Sequence, residues 1–565
     1  MARNSRPLRV RDLQIYRGCD GLSEFLIYLM VVFSPWAFGT TQPWAIWGMN
    51  IAGYVLGLLL AIKLAIRFFK GYRPPRWRKR DHVEIAGERS TEAPLPAGSS
   101  QGKGETRDSR QFMQPLSLPA MKSARKFTAA NLSKALAVLT VAILGFCLVS
   151  ALNAFSTYDE TALSFEYHSF LKWLPHSLDS HRTWLTFWNY LALACSFWAV
   201  RDWLLGQTAA EQRAERRGKE SGIECQRTAG SATVELSHAL TIQRSNAPTS
   251  PFFPARLRRL LWLLAINGGL LGVEAIAQRF EGSGKLLFLV KPHVNPGAES
   301  QFGPYAYRSN AAQYFNLVWP VTLGFWWVVH RSGGLRRGAH HLLLVSSAIM
   351  AACPIISISR GGALITVAIL VFAALAFAII HFLYPPRRPE DSTAVKPALP
   401  AVMLFVVAAL ALGFSLGWRA LGPRMTELSE GFEGREEMYA AARPMTGDYP
   451  LFGVGPGAYA TVFQLYRIST DTYWPAQLHN DWLETLITFG WVGTSLIVLA
   501  LVVVLLRWFA PGGGIHGGRR FTILMWFALA GCLLHARFDF PFQIYSILFL
   551  FLVLCAVTMN LGRKV

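Results

Sequence analysis

Apolar runs of close to twenty residues, nearly free of charge, recur from Phe25 to the C-terminus. About 20 such residues in helical form cross the hydrocarbon core of a bilayer, where backbone polar groups must find partners within the segment itself. Alternating strand patterns are absent from these runs, so helices are the element that repeats. Of the 565 residues 52% are hydrophobic, with 19 Trp and 37 Phe. The predicted fold class is therefore all-α, a polytopic integral membrane protein. The net charge of +21 does not argue for nucleic acid. Lysines and arginines cluster between the apolar runs, where the positive-inside rule puts them. No nucleic-acid partner is expected, and membrane lipids are.

Spans are expected near 25–38, 45–66, 136–152, 184–205, 260–277, 312–329 and 342–357. Others run from Arg360 towards Arg387, near 402–416, from His479 to Arg507, and on either side of Asp539-Phe540-Pro541. That makes about twelve spans with both termini cytoplasmic. The first run is short, contains Pro35 and has no small-residue cleavage site after it, which predicts an anchor and not a removable signal peptide. Residues 1–73 and 129–206 read as transmembrane hairpins. Residues 74–128 and 207–255 are polar and low in complexity and read as disordered cytoplasmic linkers. Residues 256–565 read as a transmembrane core with a long outside loop at 418–480, before the tenth span.

None of the seven cysteines falls in an outside loop, so no structural disulfide is expected. No pair of cysteines has metal-site spacing. His340-His341, beside Arg336 and Arg337, reads as a membrane flank, and neither a tightly bound metal nor another cofactor is expected.

Basic residues are scarce on the outer face, so those that remain there carry information. They include Arg308, Arg360, Arg435, Arg443 and Arg467, together with His479. Arg360 sits at an outer turn, where a charge is costly unless paired or hydrated. Gly361 and Gly362 beside it are expected to permit the tight reversal and to leave amides bare at a helix N-terminus. Guanidinium, amides and the positive dipole end together suit an anion such as a diphosphate. For each arginine the plainer alternative is a surface pair or a side chain reaching lipid head groups. Pro450-Leu451-Phe452-Gly453-Val454-Gly455 lacks the Lys and Ser/Thr of a phosphate-binding loop and reads as a re-entrant or surface turn. If a helix begins near His479, Gly490 falls about three turns on, on nearly the same face. With Gly493 it would let a neighbouring helix approach beneath the imidazole. Otherwise His479 is an ordinary helix-end residue.

His479-Asn480, nine residues, Gly490, two residues and Gly493 resemble the H-[NSQ]-x9-G-x-x-[GTY] signature of the O-antigen ligase and polymerase superfamily. Ser359-Arg360-Gly361-Gly362, Gly434-Arg435, and Pro450 to Gly455 are similar to that family's arginine and "PLxGxG" patterns. Phe302-Gly303-Pro304 with Arg308 and Asn310, and Asp539-Phe540-Pro541, are also similar to recurrent features. The resemblance covers about Gly303 to the C-terminus. The two linkers depart from the pattern.

The resemblance implies a GT-C type glycosyltransferase of the bacterial inner membrane, metal-independent, with its site on the periplasmic face. The donor would be an undecaprenyl-diphosphate-linked glycan, and the acceptor a hydroxyl of a glycan, of lipid A core or of a protein. His479 would act as base, with Arg360 and Arg435 stabilising the departing diphosphate. Arg308, Asn310, Gly361, Gly362, Arg443 and Asn480 would bind substrate. Ligase and polymerase activities both fit, as does a protein O-oligosaccharyltransferase. From other classes, a scaffold would have no need of the His–Gly spacing. A transporter of polysaccharide or lipid would be expected to show mid-membrane ionisable residues or broken helices in both halves.

Overall fold

The computed structural model describes residues 8–76, 128–214, 216–217, 253–331, 336–383, 398–426, 428–467, 476–510, 515 and 518–562. Most of the two expected linkers, together with Arg387 and the final Arg563 and Lys564, lies outside the described residues.

The long helices are α1 (Val10–Trp36), α2 (Pro43–Phe69), α3 (Ala129–Leu152), α4 (Ser180–Leu204), α5 (Ala255–Glu281) and α6 (Arg308–Arg331). They continue as α7 (Leu342–Ile356), α8 (Arg360–Leu383), α9 (Ala398–Thr426), α10 (Leu428–Ala442) and the short α11 (Pro444–Asp448) and α12 (Tyr459–Val462). The last three are α13 (Asp481–Leu506), α14 (Arg519–His535) and α15 (Tyr545–Asn560). Every apolar run named above falls on one of these helices. By length and composition, eight described helices (α1, α2, α3, α5, α7, α8, α9 and α13) can cross a membrane. One departure from the all-helical expectation is a small antiparallel hairpin, β1 (Ser156–Asp159) with β2 (Ser164–Tyr167), in which Ser156 faces Tyr167.

Burial explains the polar side chains along α6. Every residue from Ser309 to Val329 is buried, so α6 is the central post of the bundle and meets protein on all sides. Such a helix can carry polar side chains provided each is satisfied. Asn316 accepts from Trp319 Nε1 at 3.1 Å and donates to the Gly362 carbonyl at 3.0 Å. Helix α15, buried along nearly its whole length, forms a second post against α4 and α6. The outer helices instead expose large apolar side chains, among them Leu58, Val138, Val141, Leu270, Val371 and Leu404.

The N-terminal helices share one core with the rest. Trp36 Nε1 donates to Asn267 Oδ1 at 2.8 Å, and Tyr545 Oη donates to Asn50 Oδ1 at 2.9 Å. A buried ion network ties the same helices together. Lys63 of α2, 1% exposed, lies 2.9 Å from Asp20 of α1 and 3.0 Å from Asp202 of α4. Arg67 holds Asp202 at 2.6 Å, and Arg256 of α5 pairs with Asp20. Above the opposite end of the bundle, α10 to α12 form a crown with its own apolar core, including Tyr439, Met445, Val454, Tyr459 and Phe463.

Removing one partner of a buried pair strands the other charge, which costs about 3–5 kcal/mol. Asp202→Ala is therefore expected to lower stability by about that amount in detergent unfolding experiments. Glu160→Ala removes the exposed Arg182 pair instead, and is expected to cost under about 1 kcal/mol.

Candidate functional site

Four arginines converge at the crown end on a cavity of ≈ 290 Å³. Arg308 begins α6, Arg360 begins α8, Arg424 lies in the last turn of α9, and Arg435 comes from α10 of the crown. The opposite wall is apolar: Leu364 and Ile365 lie one turn from Ala368 along α8, with Leu534 and Phe538 beside them. Leu364 is 50% and Leu534 52% exposed, so the cavity opens towards the apolar flank of the bundle. One buried carboxylate, Asp539, sits at the inner edge. Arg308 is tied to the Glu299 carbonyl at 2.7 Å, and Arg435 donates to the Phe538 carbonyl and to Tyr307 Oη. Arg424 Nε is buried without a hydrogen-bond partner. Several guanidinium groups around one already engaged carboxylate give this surface a concentrated positive charge.

His479 does not itself line the cavity. It stands behind Asp539, with Nδ1 at 3.0 Å from Asp539 Oδ1. An ionised carboxylate only accepts, so Nδ1 carries the proton that is donated to Asp539, and Nε2 points away from it. The ring sits edge-on against Phe540 and Tyr307, at 4.7 Å and 5.7 Å between centroids, and stays partly open to solvent. Burial by itself would raise the Asp539 pKa. The hydrogen bond from His479, with the charge of Arg435, outweighs it and holds the carboxyl well below the usual range. Its contribution to stability is thus present above the ordinary carboxylate range and is lost only as pH falls through the depressed folded-state value.

The loop that carries His479 is held from several sides. His479 has φ +55°, a left-handed conformation uncommon for a side-chain-bearing residue. Its carbonyl accepts from Tyr439 Oη at 2.7 Å, and Leu478 N donates to Glu484 at 2.9 Å. Asp481 N reaches the Ala536 carbonyl at 2.8 Å, which pins this loop to the one bearing Asp539. Such over-determined strain is characteristic of functional positions.

Several expectations change in detail. Asn480 is the N-cap of α13, accepting from Leu483 N at 3.2 Å, and does not line the cavity. Gly361 lines it, but Gly362 does not. The Gly362 amide is not bare, since it donates to Ser359 Oγ at 3.1 Å. The tight reversal falls on Ile358, at φ +55°, and the two glycines instead let His535 and Ala312 come close. Asn310 is buried in α6, away from the cavity. Arg443 forms an exposed pair with Glu436 at 2.6 Å.

Gly490 departs furthest from expectation. Helix α13 starts at Asp481 and breaks at Gly490, with φ +59° and ψ −170°. The Pro450–Gly455 segment enters the break and is not a surface turn. Val454 N and Gly455 N donate to the Ile487 and Thr488 carbonyls, at 2.9 and 3.1 Å. Trp491 N and Val492 N donate back to Pro450 and Leu451, at 2.8 and 3.1 Å. A Cβ on Gly490 would lie 2.4 Å from the Leu451 carbonyl oxygen. Gly490 therefore admits a loop backbone, not a helix beneath the imidazole. Gly493 is the one that meets a neighbouring helix, facing Phe146 of α3.

Arg424, Tyr307 and His535 complete the site, and the sequence reading passed over them. Arg424 carries the same signal as the other outer-face arginines. His535 ends an apolar run and carries none. Its Nδ1 lies 2.7 Å from Gln313 Oε1 and its Nε2 3.0 Å from Ser309 Oγ, in the buried wall of the cavity.

Residues 345–498 match the family model described as O-Antigen ligase. That stretch, a little over a quarter of the chain, runs from α7 into α13. It contains Arg360, Arg424, Arg435 and His479, while Arg308, His535 and Asp539 lie outside it. The motif-based resemblance thus has independent support. No curated protein matches the chain.

The Gly490 backbone lies in a region that only glycine occupies readily, and a side chain there costs about 1–3 kcal/mol. Gly490→Ala is expected to lower stability by at least that much, and to increase protease cleavage within 450–455. Gly447→Ala, at a glycine with open space around it, is expected to leave both unchanged.

Proposed function

We propose that the protein transfers a glycan from a polyprenyl diphosphate to an acceptor hydroxyl. It would do so at the periplasmic face of a bacterial inner membrane, with about twelve spans and both termini in the cytoplasm. The observation that carries this reading is the make-up of the cavity: four arginines on one side and an apolar wall open to the flank of the bundle on the other. A polyprenyl diphosphate has the matching halves, an anionic head and a hydrocarbon tail. The match to an O-antigen ligase family model supports the same chemistry.

In this reading the diphosphate rests among Arg308, Arg360, Arg424 and Arg435, and the tail leaves past Leu364 and Leu534. The acceptor approaches on the solvent side of His479. Its oxygen attacks the anomeric carbon as the bond from that carbon to the diphosphate oxygen breaks. Nε2 of His479 takes the hydroxyl proton, and Asp539 stabilises the imidazolium that forms. Negative charge grows on the departing diphosphate, where the preorganised guanidinium groups are most effective. Arg435 spans both parts of the site, because it touches Tyr307 and the loop bearing Asp539. Ligation and polymerisation differ in the acceptor and share these steps.

A transporter is less well supported. The break in α13 is a feature transporters share, but the carbonyls it frees are taken up by the Pro450–Gly455 backbone.

The test is transfer by purified protein from a synthetic polyprenyl-diphosphate-linked glycan. Arg360→Ala is expected to lower kcat/KM by about 10²–10³, the usual effect of losing one preorganised donor to a developing anion. Arg360→Lys is expected to restore little, since an ammonium cannot make the bidentate contact. Arg443→Ala is expected to stay near wild type. Wild-type transfer by correctly folded Arg360→Ala would remove the diphosphate assignment.

A further inference from the structure

Three histidines meet at the other end of α6, twenty-two residues from Arg308 and so about 33 Å along the helix. On sequence alone His340 and His341 read as a membrane flank. The fold adds His330, one residue before the end of α6, and brings the three rings together at the turn into α7. One ring nitrogen from each lies within 4.8 Å of the other two. His330 Nδ1 and His340 Nε2 are 3.0 Å apart, and the His340 and His341 rings are 4.1 Å apart between centroids. His340 Nδ1 is buried and has no hydrogen-bond partner. The indole of Trp326 stacks on His330 at 5.0 Å and limits its rotation.

From this geometry we propose that His330, His340 and His341 form a three-imidazole site for a divalent transition metal of the zinc class, joining α6 to α7. Two nitrogens bound to one ion at about 2.0–2.1 Å, with a tetrahedral to right-angled arrangement, stand roughly 3 Å apart. The His330–His340 separation has that value. The third imidazole is within reach after a side-chain adjustment. Imidazole donors select zinc, copper, nickel or cobalt over calcium or magnesium, which prefer oxygen. Three protein ligands leave a fourth position for water on the side of His341, which is exposed. No acid or base from the glycan-transfer site is near, so the ion's effect here is to fix the α6–α7 turn. The site stands or falls independently of the proposed transfer activity.

The experiment uses full-length protein purified in detergent through a tag without histidine, stripped with chelator and titrated with cobalt(II). Wild type is expected to bind one equivalent, with a visible absorption band of tetrahedral or five-coordinate cobalt that zinc displaces and magnesium does not. Bound zinc is expected to raise the thermal unfolding temperature. His341→Gln alters an exposed side chain and leaves the fold intact; it and His340→Ala are expected to lose the band and the zinc-dependent stabilisation. Failure of wild type to develop the band would overturn the site, leaving only a hydrogen-bonded histidine pair. An unchanged band in His341→Gln would also overturn it, by placing the cobalt elsewhere on the chain.

Discussion

The hydrogen bond between His479 and buried Asp539 joins two loops that the chain brings together from either side of the α13–α14 pair. The carboxylate is expensive to bury, and the hydrogen bond from His479 and the charge of Arg435 keep it ionised. In return it fixes the tautomer and direction of the ring. Asp481 N on the Ala536 carbonyl, and Asp481 Oδ2 accepting from Phe542 N at 2.8 Å, lock the same pair of loops. The arginine-lined half of the cavity depends on this clamp as well, since Arg435 leans on the Phe538 carbonyl and on Tyr307.

The clamp is carried by a rigid support. The Pro450–Gly455 strap threaded into the break at Gly490 fastens the crown to α13 through backbone hydrogen bonds. Backbone-to-backbone contact needs residues without side chains where the two segments touch, and a Cβ on Gly453 would lie 2.5 Å from the Ile487 carbonyl oxygen. Beneath the site, α6 is buried on every side and connects Arg308 at one end to the histidine cluster at the other.

Much of this was legible in the sequence because it rests on local rules. Apolar runs located the helices, and the scarcity of basic residues on one face singled out Arg308, Arg360 and Arg435. What the sequence hid depends on tertiary placement. The spacing from His479 to Gly490 suggested one straight helix, because nothing local shows that a distant strap enters it. Asn480 and Gly362 looked available, yet each is used in capping a helix. Arg443 and Arg435 are eight residues apart and alike in sequence context. One lies on the crown's outer surface and the other at the cavity. His330 and His340 are ten residues apart, and the packing of α6 against α7 brings the rings into contact.

The central claim is that His479 takes the acceptor's proton. Its most direct measure is the single-turnover rate of transfer with polyprenyl-diphosphate donor already bound. His479→Ala is predicted to lose about 10²–10⁴ in rate and to keep its donor affinity. A wild-type rate in folded His479→Ala would contradict this role for the imidazole.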